Sequence, residues 1–179
     1  IASSLCLYAG GMVQNDVVDF EIDHVERPFR PLPSGRVSRE VAGLVAGALL
    51  VFGVAFACVA SAYVNKMAPA CLGVTLAAAI CCYNRYAKGT RWGPMVMGGC
   101  RSLNWSLGMV VGGSPLMLLW MIPCGIGVYI GGITLFAHDE ASGGNRKKLF
   151  FGAFIMLLGL VLAGLSPLLV MKMKQSEFP

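Results

Sequence analysis

The chain has 179 residues, 56% of them hydrophobic and 13% charged, with a mean hydropathy of +0.70 and a formal charge of +5. An average soluble domain is about 45–50% apolar and about 25% charged, so a water-facing globular domain and a disordered tail are both excluded. The positive charge lies in short loops rather than in one stripe with interleaved aromatics, which also excludes nucleic acid as a partner. What remains is an all-α, polytopic membrane protein whose surroundings are the lipid bilayer.

The seven cysteines lie in apolar stretches without CxxC spacing and are expected as small core residues. His24 and His138 are far apart and lack HExxH spacing, so no zinc site is expected. Ile1 opens inside an apolar run with no signal sequence, and the first span is expected to be truncated.

Runs long enough for spanning helices predict six of them: Ile1 to about Gln14, then about 41–64, 67–83, 94–112, 115–137 and 149–171. The third is short, and the fourth carries Arg101 at membrane depth. Ser38 ahead of Glu40 reads as the N-cap that starts the second helix. The Gly43–Gly47, Gly108–Gly112 and Gly127–Gly131 pairs, each at GxxxG spacing, read as close helix packing.

Loops 15–40, 85–93 and 138–148 hold ten basic residues, against three (Lys66, Lys172, Lys174) on the opposite side. With six alternating helices, that asymmetry puts these loops on the cytoplasmic face. Eight of the nine acidic residues lie on the same face.

The segment Asn15-Asp16-Val17-Val18-Asp19-Phe20-Glu21-Ile22-Asp23 closes the first helix. On a continuous helix Asp16, Asp19, Asp23 and Glu26 fall within roughly 80° of one face, with Asn15 at its edge and Glu21 on the far side. Clustered carboxylates repel unless cations neutralise them. Hard oxygen donors suit Mg²⁺, which is usually bound by one or two carboxylates plus phosphate oxygens. The plainer alternative is a solvated acidic helix end paired with Arg27 and Arg30. The loop that follows, Arg27-Pro28-Phe29-Arg30-Pro31-Leu32-Pro33-Ser34-Gly35-Arg36, cannot be helical and carries forked donors suited to phosphate. It reads equally as a turn obeying the positive-inside bias.

Asn15-Asp16-x-x-Asp19-x-x-x-Asp23, followed by Arg27-Pro28-x-Arg30-Pro31-x-Pro33-x-Gly35, resembles the first aspartate-rich motif of the UbiA superfamily of intramembrane prenyltransferases. That resemblance implies a bundle of nine spans binding an isoprenyl diphosphate through Mg²⁺ held between two aspartate-rich motifs. The loop spacing makes this chain look like spans two to seven, about six of the nine, in one UbiA-like domain over 1–179 truncated at one or both ends. Tyr83-Asn84-Arg85-Tyr86-Ala87-Lys88 is similar to the family's tyrosine-and-lysine segment, where Lys88 and Arg85 would meet the leaving diphosphate. Arg101, with Asn104 one turn on, is a functional candidate because an intramembrane Arg must face the bundle interior or water. A structural Arg–carboxylate lock is the alternative.

The third loop departs from the family pattern. It offers His138-Asp139-Glu140-Ala141-Ser142-Gly143-Gly144-Asn145, an adjacent acid pair whose members point about 100° apart on a helix. This leaves an enzyme with one strongly held metal, an enzyme using Ser142 or Asn145 as substitute ligands, or a member that has lost turnover. In this the third loop resembles the UbiA-like branch associated with ebo-type metabolite-export clusters.

The resemblance thus implies a Mg²⁺-dependent prenyltransferase moving an isoprenyl group from an allylic diphosphate to an aromatic or other electron-rich, hydrophobic acceptor. Asn15, Asp16, Asp19, Asp23 and Asp139 or Glu140 are the expected metal ligands. Lys88, Arg85 and Arg101 are the expected catalytic cations, and Asn15, Arg27, Arg30, Lys88 and Asn104 the expected diphosphate contacts. Phe20, Tyr83, Tyr86 and Tyr129 offer faces to an allylic cation and are equally packing residues. A non-catalytic prenyl-lipid-binding or transport-associated protein on the same fold is the second reading. An ion or solute channel is weaker, since no acid lies mid-span.

Overall fold

The computed structural model describes residues 1–113, 116–141 and 146–177, and the side chains of these except 138–141 and 174–177. Among them every regular element is helical: α1 (Ala2–Val18), α2 (Phe20–Glu26), α3 (Arg39–Val64), α4 (Ala68–Cys82), α5 (Gly93–Val111), α6 (Met121–Ala141) and α7 (Arg146–Glu177). A π turn, Tyr83–Ala87, prolongs α4, and a 3₁₀ turn, Met117–Trp120, precedes α6. The six expected runs are the six long helices.

Three stretches, Arg39–Val64, Met117–Ala137 and Arg146–Met173, are long and apolar enough to cross a membrane. α1, α4 and α5 are shorter or more polar, with 17, 15 and 19 residues. At about 1.5 Å per residue, α4 alone falls short of the roughly 30 Å hydrocarbon core.

The chain forms two compact units, residues 1–86 and 87–179. In the first, α1 lies against α3 and α4. Its seam with α3 is set by small residues: Leu7, fully buried, covers Gly53, and Ser3 Oγ donates to the Gly53 carbonyl at 2.6 Å. Between α3 and α4, Gly73 faces Ala57, and the Ser61 hydroxyl accepts the Ala70 N–H at 2.7 Å, capping α4 from the neighbouring helix. Ser38 caps α3 as expected, accepting the Val41 N–H at 3.2 Å. Asn65 ends α3 in the left-handed region at φ 52°, a conformation asparagine tolerates better than most residues.

In the second unit α6 packs on both α5 and α7. Gly98 of α5 meets Gly127 of α6, and Gly127 also faces Ser102, whose hydroxyl donates to the Pro123 carbonyl. On the other side of α6, Gly125 and Gly132 face Ala163 and Met156 of α7.

Of the three GxxxG pairs, only Gly127–Gly131 is a packing site. Nothing approaches a Cβ built at Gly43, Gly47 or Gly108, and Gly112 meets only carbonyls of its own helix. The cysteines also depart from expectation. Cys100 is buried, Cys6 and Cys81 are half-buried, and Cys58, Cys71, Cys82 and Cys124 are exposed. A bundle in lipid does not sort residues by apolarity, because hydrocarbon is as apolar outside as inside.

Candidate functional site at the end of the first helix

The acidic segment is built on two helices rather than one. α1 stops at Val18 and α2 restarts at Phe20, with Asp19 between them at φ −80°, ψ 1°. The backbone ladder nonetheless continues. The Asp19 N–H donates to the Asn15 carbonyl at 2.9 Å and the Asp23 N–H to the Asp19 carbonyl at 2.8 Å, so residues 15, 19 and 23 still stack turn over turn. The side chains follow the same line, Asn15 Nδ2 donating to Asp19 Oδ2 at 3.1 Å.

The proline loop returns over this face. Arg27 N–H closes α2 on the Asp23 carbonyl, and a run of turn bonds (Arg30 N–H to Arg27 O, Ser34 N–H to Arg30 O, Gly35 N–H to Leu32 O) folds the chain back. Gly35 sits at φ +75°, where a side chain would be strained. The fold-back delivers Arg30 to the acids: Nη1 lies 2.7 Å from Asp23 Oδ2 and 3.5 Å from Asp16 Oδ1, and Arg27 approaches Asp23 Oδ1 at 3.9 Å.

The carboxylates are therefore unequal. The Asp23 side chain is 6% exposed and salt-bridged, while that of Asp16 is 49% exposed. Glu21 does point away, pairing with Arg39 at 3.0 Å, and the Arg39 guanidinium stacks on the Phe20 ring at 5.0 Å. Glu26 is exposed. Among the described residues no three His, Cys, Asp or Glu side chains stand close enough to hold a metal between them. Arg27 and Arg30 pair with carboxylates of the motif, the pairing that the plainer sequence reading named. Of the four acids expected on one face, Asp16 and Asp23 thus stand beside guanidinium groups from the chain's own loop.

The remaining expected residues fall as follows. Arg85 and Tyr86 are exposed in the π turn, and Lys88 is half-buried just after it. Beyond Lys88, the Thr90 hydroxyl donates to the Ala87 carbonyl at 2.7 Å, Gly89 takes φ +76°, and Arg91 stacks on Trp92. Arg101 and Asn104 are half-buried one turn apart on α5, each engaged with neighbouring groups. The backbone of α6 runs through Ala141, which puts Asp139 and Glu140 on its last turn. The side chains of Asp139 and Glu140, like Ser142 and Asn145 altogether, lie outside the described residues.

Two residues given no role by the sequence complete this end of the first unit. Asn84, 5% exposed, donates to the Gly11 carbonyl at 3.2 Å and to Gln14 Oε1 at 2.9 Å, and Gln14 Nε2 donates to Cys81 Sγ at 3.5 Å. Two amide side chains at the ends of apolar runs were the available signal.

Among the described residues the chain is all-helical, with three helices long and apolar enough to cross a membrane and an acidic helix end clasped by a basic proline loop, the features of a multi-pass membrane protein with a polar site at a helix end. The model of the UbiA prenyltransferase family matches residues 1–173, and the chain belongs to that family. It is 27% identical over 174 residues to a digeranylgeranylglyceryl phosphate synthase of Methanocaldococcus jannaschii, covering 90% of this chain and 59% of that protein. With the enzyme of the same name from Methanopyrus kandleri it shares 32% over 129 residues, 68% of this chain and 42% of the relative. A third, from Saccharolobus solfataricus, is 44% identical over 55 residues, 31% of this chain and 20% of the relative. The chain thus spans between a fifth and about three fifths of these relatives' lengths. No solved structure matches it.

Proposed function

We propose that this chain belongs to an intramembrane prenyltransferase that moves an isoprenyl group from an allylic diphosphate to a hydrophobic acceptor, with Mg²⁺ at the acidic motif. One observation carries the reading: in a chain of this family, the end of α1 presents Asp16 and Asp19 beside a loop arginine that already neutralises Asp23. The donor set suits Mg²⁺. That ion is usually held by one or two carboxylates together with substrate phosphate, which is compatible with the absence of a three-ligand cage among the described residues. Asp16 and Asp19, with the Asn15 amide oxygen, would hold it, and Asp139 or Glu140 is proposed as a further ligand. Bound there, Mg²⁺ would offset the charge that builds on the departing diphosphate.

The protein's own groups do the rest. Arg30 and Arg27 pair with Asp23 and hold the loop closed. Arg85, Lys88 and Arg101 add positive charge for the leaving group, and Asn104 donates to it. The allylic C–O bond breaks, its electron pair leaving with the diphosphate. The acceptor's nucleophilic atom bonds to the allylic carbon and then loses its proton, within a bundle that excludes water. The relatives' name points to a product of the digeranylgeranylglyceryl phosphate type, with an isoprenylated glyceryl phosphate as acceptor; an aromatic acceptor is the competing class. Orientation is part of the proposal, with the acidic motif on the cytoplasmic side.

The adjacent acid pair Asp139-Glu140, which departs from the family's second motif, favours one other reading, a binder of prenyl lipids without turnover. Incubating the detergent-solubilised protein with labelled geranylgeranyl diphosphate, Mg²⁺ and each acceptor separates the two. An enzyme releases diphosphate and alkylates one acceptor, whereas a binder shows saturable, metal-dependent binding without release.

A further inference from the structure

α4 does not end cleanly. It passes into a five-residue π turn, Tyr83–Ala87, and such turns are rare and concentrate at functional sites. Ile80 and Cys81 on the last turn of α4, and Asn84 one turn on, all meet the same stretch of α1. Ile80 abuts Gly11, Cys81 accepts from Gln14, and Asn84 donates to both the Gly11 carbonyl and the Gln14 side chain.

The position of this contact on α1 gives it its interest. Gln14 immediately precedes Asn15 and Asp16, and Asn15 holds Asp19. On its other side, α1 is wedged at Gly10 against Leu49, Leu50 and the Ala46 carbonyl of α3. Gly10 and Gly11 set how closely α1 approaches α3 and α4 at this level, while the Ser3–Gly53 bond anchors α1 near its start. Asn84 and Gln14 supply directional bonds in this layer, between the last turns of α1 and the end of α4.

We propose that Asn84 is a positioning residue for the acidic motif: through Gln14 and the Gly11 carbonyl it sets the rotation and height of the end of α1, and with them the placement of Asn15, Asp16 and Asp19. It touches no substrate in this proposal. Only the Mg²⁺ readout rests on the prenyltransferase reading above; the mechanical part stands apart from it.

The test uses the purified protein in detergent, with Asn84→Leu, Gln14→Leu, the double variant and Gln14→Glu. Asn84→Leu removes the donor at similar volume, Gln14→Leu breaks the same bond from the other side, and Gln14→Glu keeps the acceptor for Asn84. Titrating Mg²⁺ with inorganic pyrophosphate as probe, both Leu variants should raise the half-saturating Mg²⁺ about threefold or more, the size of a coupling carried through intervening residues. The double variant should lose no more than the worse single one; Gln14→Glu adds a charge beside Asn15 and Asp16, so it serves as a control in the exchange readout, where it should stay near wild type. Amide hydrogen exchange supplies the second readout: residues 12–23 should exchange faster in the Leu variants while α3 does not.

An unchanged Mg²⁺ midpoint together with unchanged exchange over 12–23 in Gln14→Leu overturns the proposal, whatever Asn84→Leu does to folding. Faster exchange across α3 as well would make the pair an ordinary stability contact and overturn it too. If the wild type shows no Mg²⁺-dependent pyrophosphate binding, the prenyltransferase reading fails, and selective loosening of 12–23 still decides the role of Asn84.

Discussion

Arg30 Nη1 lies 2.7 Å from Asp23 Oδ2, joining a buried carboxylate to a guanidinium that the sequence places seven residues downstream in a proline-rich loop. The pair makes the loop part of the site rather than a connector. The same nitrogen lies 3.5 Å from Asp16, so one arginine spans two turns of the acidic segment.

This geometry sets the first expectation. Arg30→Gln leaves the Asp23 carboxylate buried with only Arg27 nearby, at 3.9 Å. Removing one partner of a fully buried pair costs about 3–5 kcal/mol; with Arg30 itself 36% exposed, screening lowers this to about 1–3 kcal/mol. Adding Asp23→Asn to Arg30→Gln should recover part of the loss, since it removes the stranded charge. Thermal unfolding in detergent of the two single variants and the double variant gives the coupling directly.

The six long helices were legible because runs of about 20 apolar residues are a strong signal. So was the Ser38 cap, whose geometry is local. The break at Asp19 was not: the spacing of Asp16, Asp19 and Asp23 reads as one helix, and only the returning loop shows which acid is covered. Asn84 and Gln14 are 70 residues apart in the chain, a pairing that no local pattern reveals. GxxxG spacing named three glycine pairs, but which helix face has a neighbour is a tertiary fact.

The glycines yield a contrast that can be measured. A Cβ at Gly53 would stand 2.6 Å from Leu7 Cγ and 3.1 Å from the Leu7 backbone nitrogen, whereas one at Gly47 meets nothing within 4 Å. Gly53→Ala should therefore push α1 from α3 and cost about 1–3 kcal/mol, as overpacking does. Gly47→Ala should be neutral or gain up to about 1 kcal/mol from helix propensity. Equal effects in thermal unfolding would contradict the α1–α3 seam described above.

Loop orientation can be tested by accessibility labelling in a background lacking the seven native cysteines. Ser34 and Arg91 are both exposed, and Arg91 is a better probe than Gly89, whose φ of +76° a cysteine would strain. The basic-residue asymmetry leads us to expect that Ser34→Cys and Arg91→Cys react with a membrane-impermeant maleimide from the cytoplasmic side only. Labelling of the two from opposite faces would dismantle the proposed topology.

The sharpest expectation ranks the acids by what their surroundings leave them to do. Asp16 is half-exposed and 3.5 Å from its nearest guanidinium nitrogen, so Asp16→Asn should change stability by no more than about 0.5 kcal/mol. It nevertheless removes a hard ligand, and Mg²⁺-dependent pyrophosphate binding should fall about tenfold or more. Asp23→Asn should do the reverse, lowering stability through Arg30 while changing the Mg²⁺ midpoint less. The sequence places Asp139 and Glu140 at adjacent positions, which a helix separates by about 100°, so the two are expected to contribute unequally. Asp139→Asn and Glu140→Gln should thus differ from each other, and each should cost less than Asp16→Asn. Titrating Mg²⁺ against all four variants at fixed pyrophosphate, alongside their melting temperatures, gives both rankings in one series. If both changes on α6 match the loss at Asp16, that turn acts as a full second motif, and the argument for a binder without turnover loses its main support.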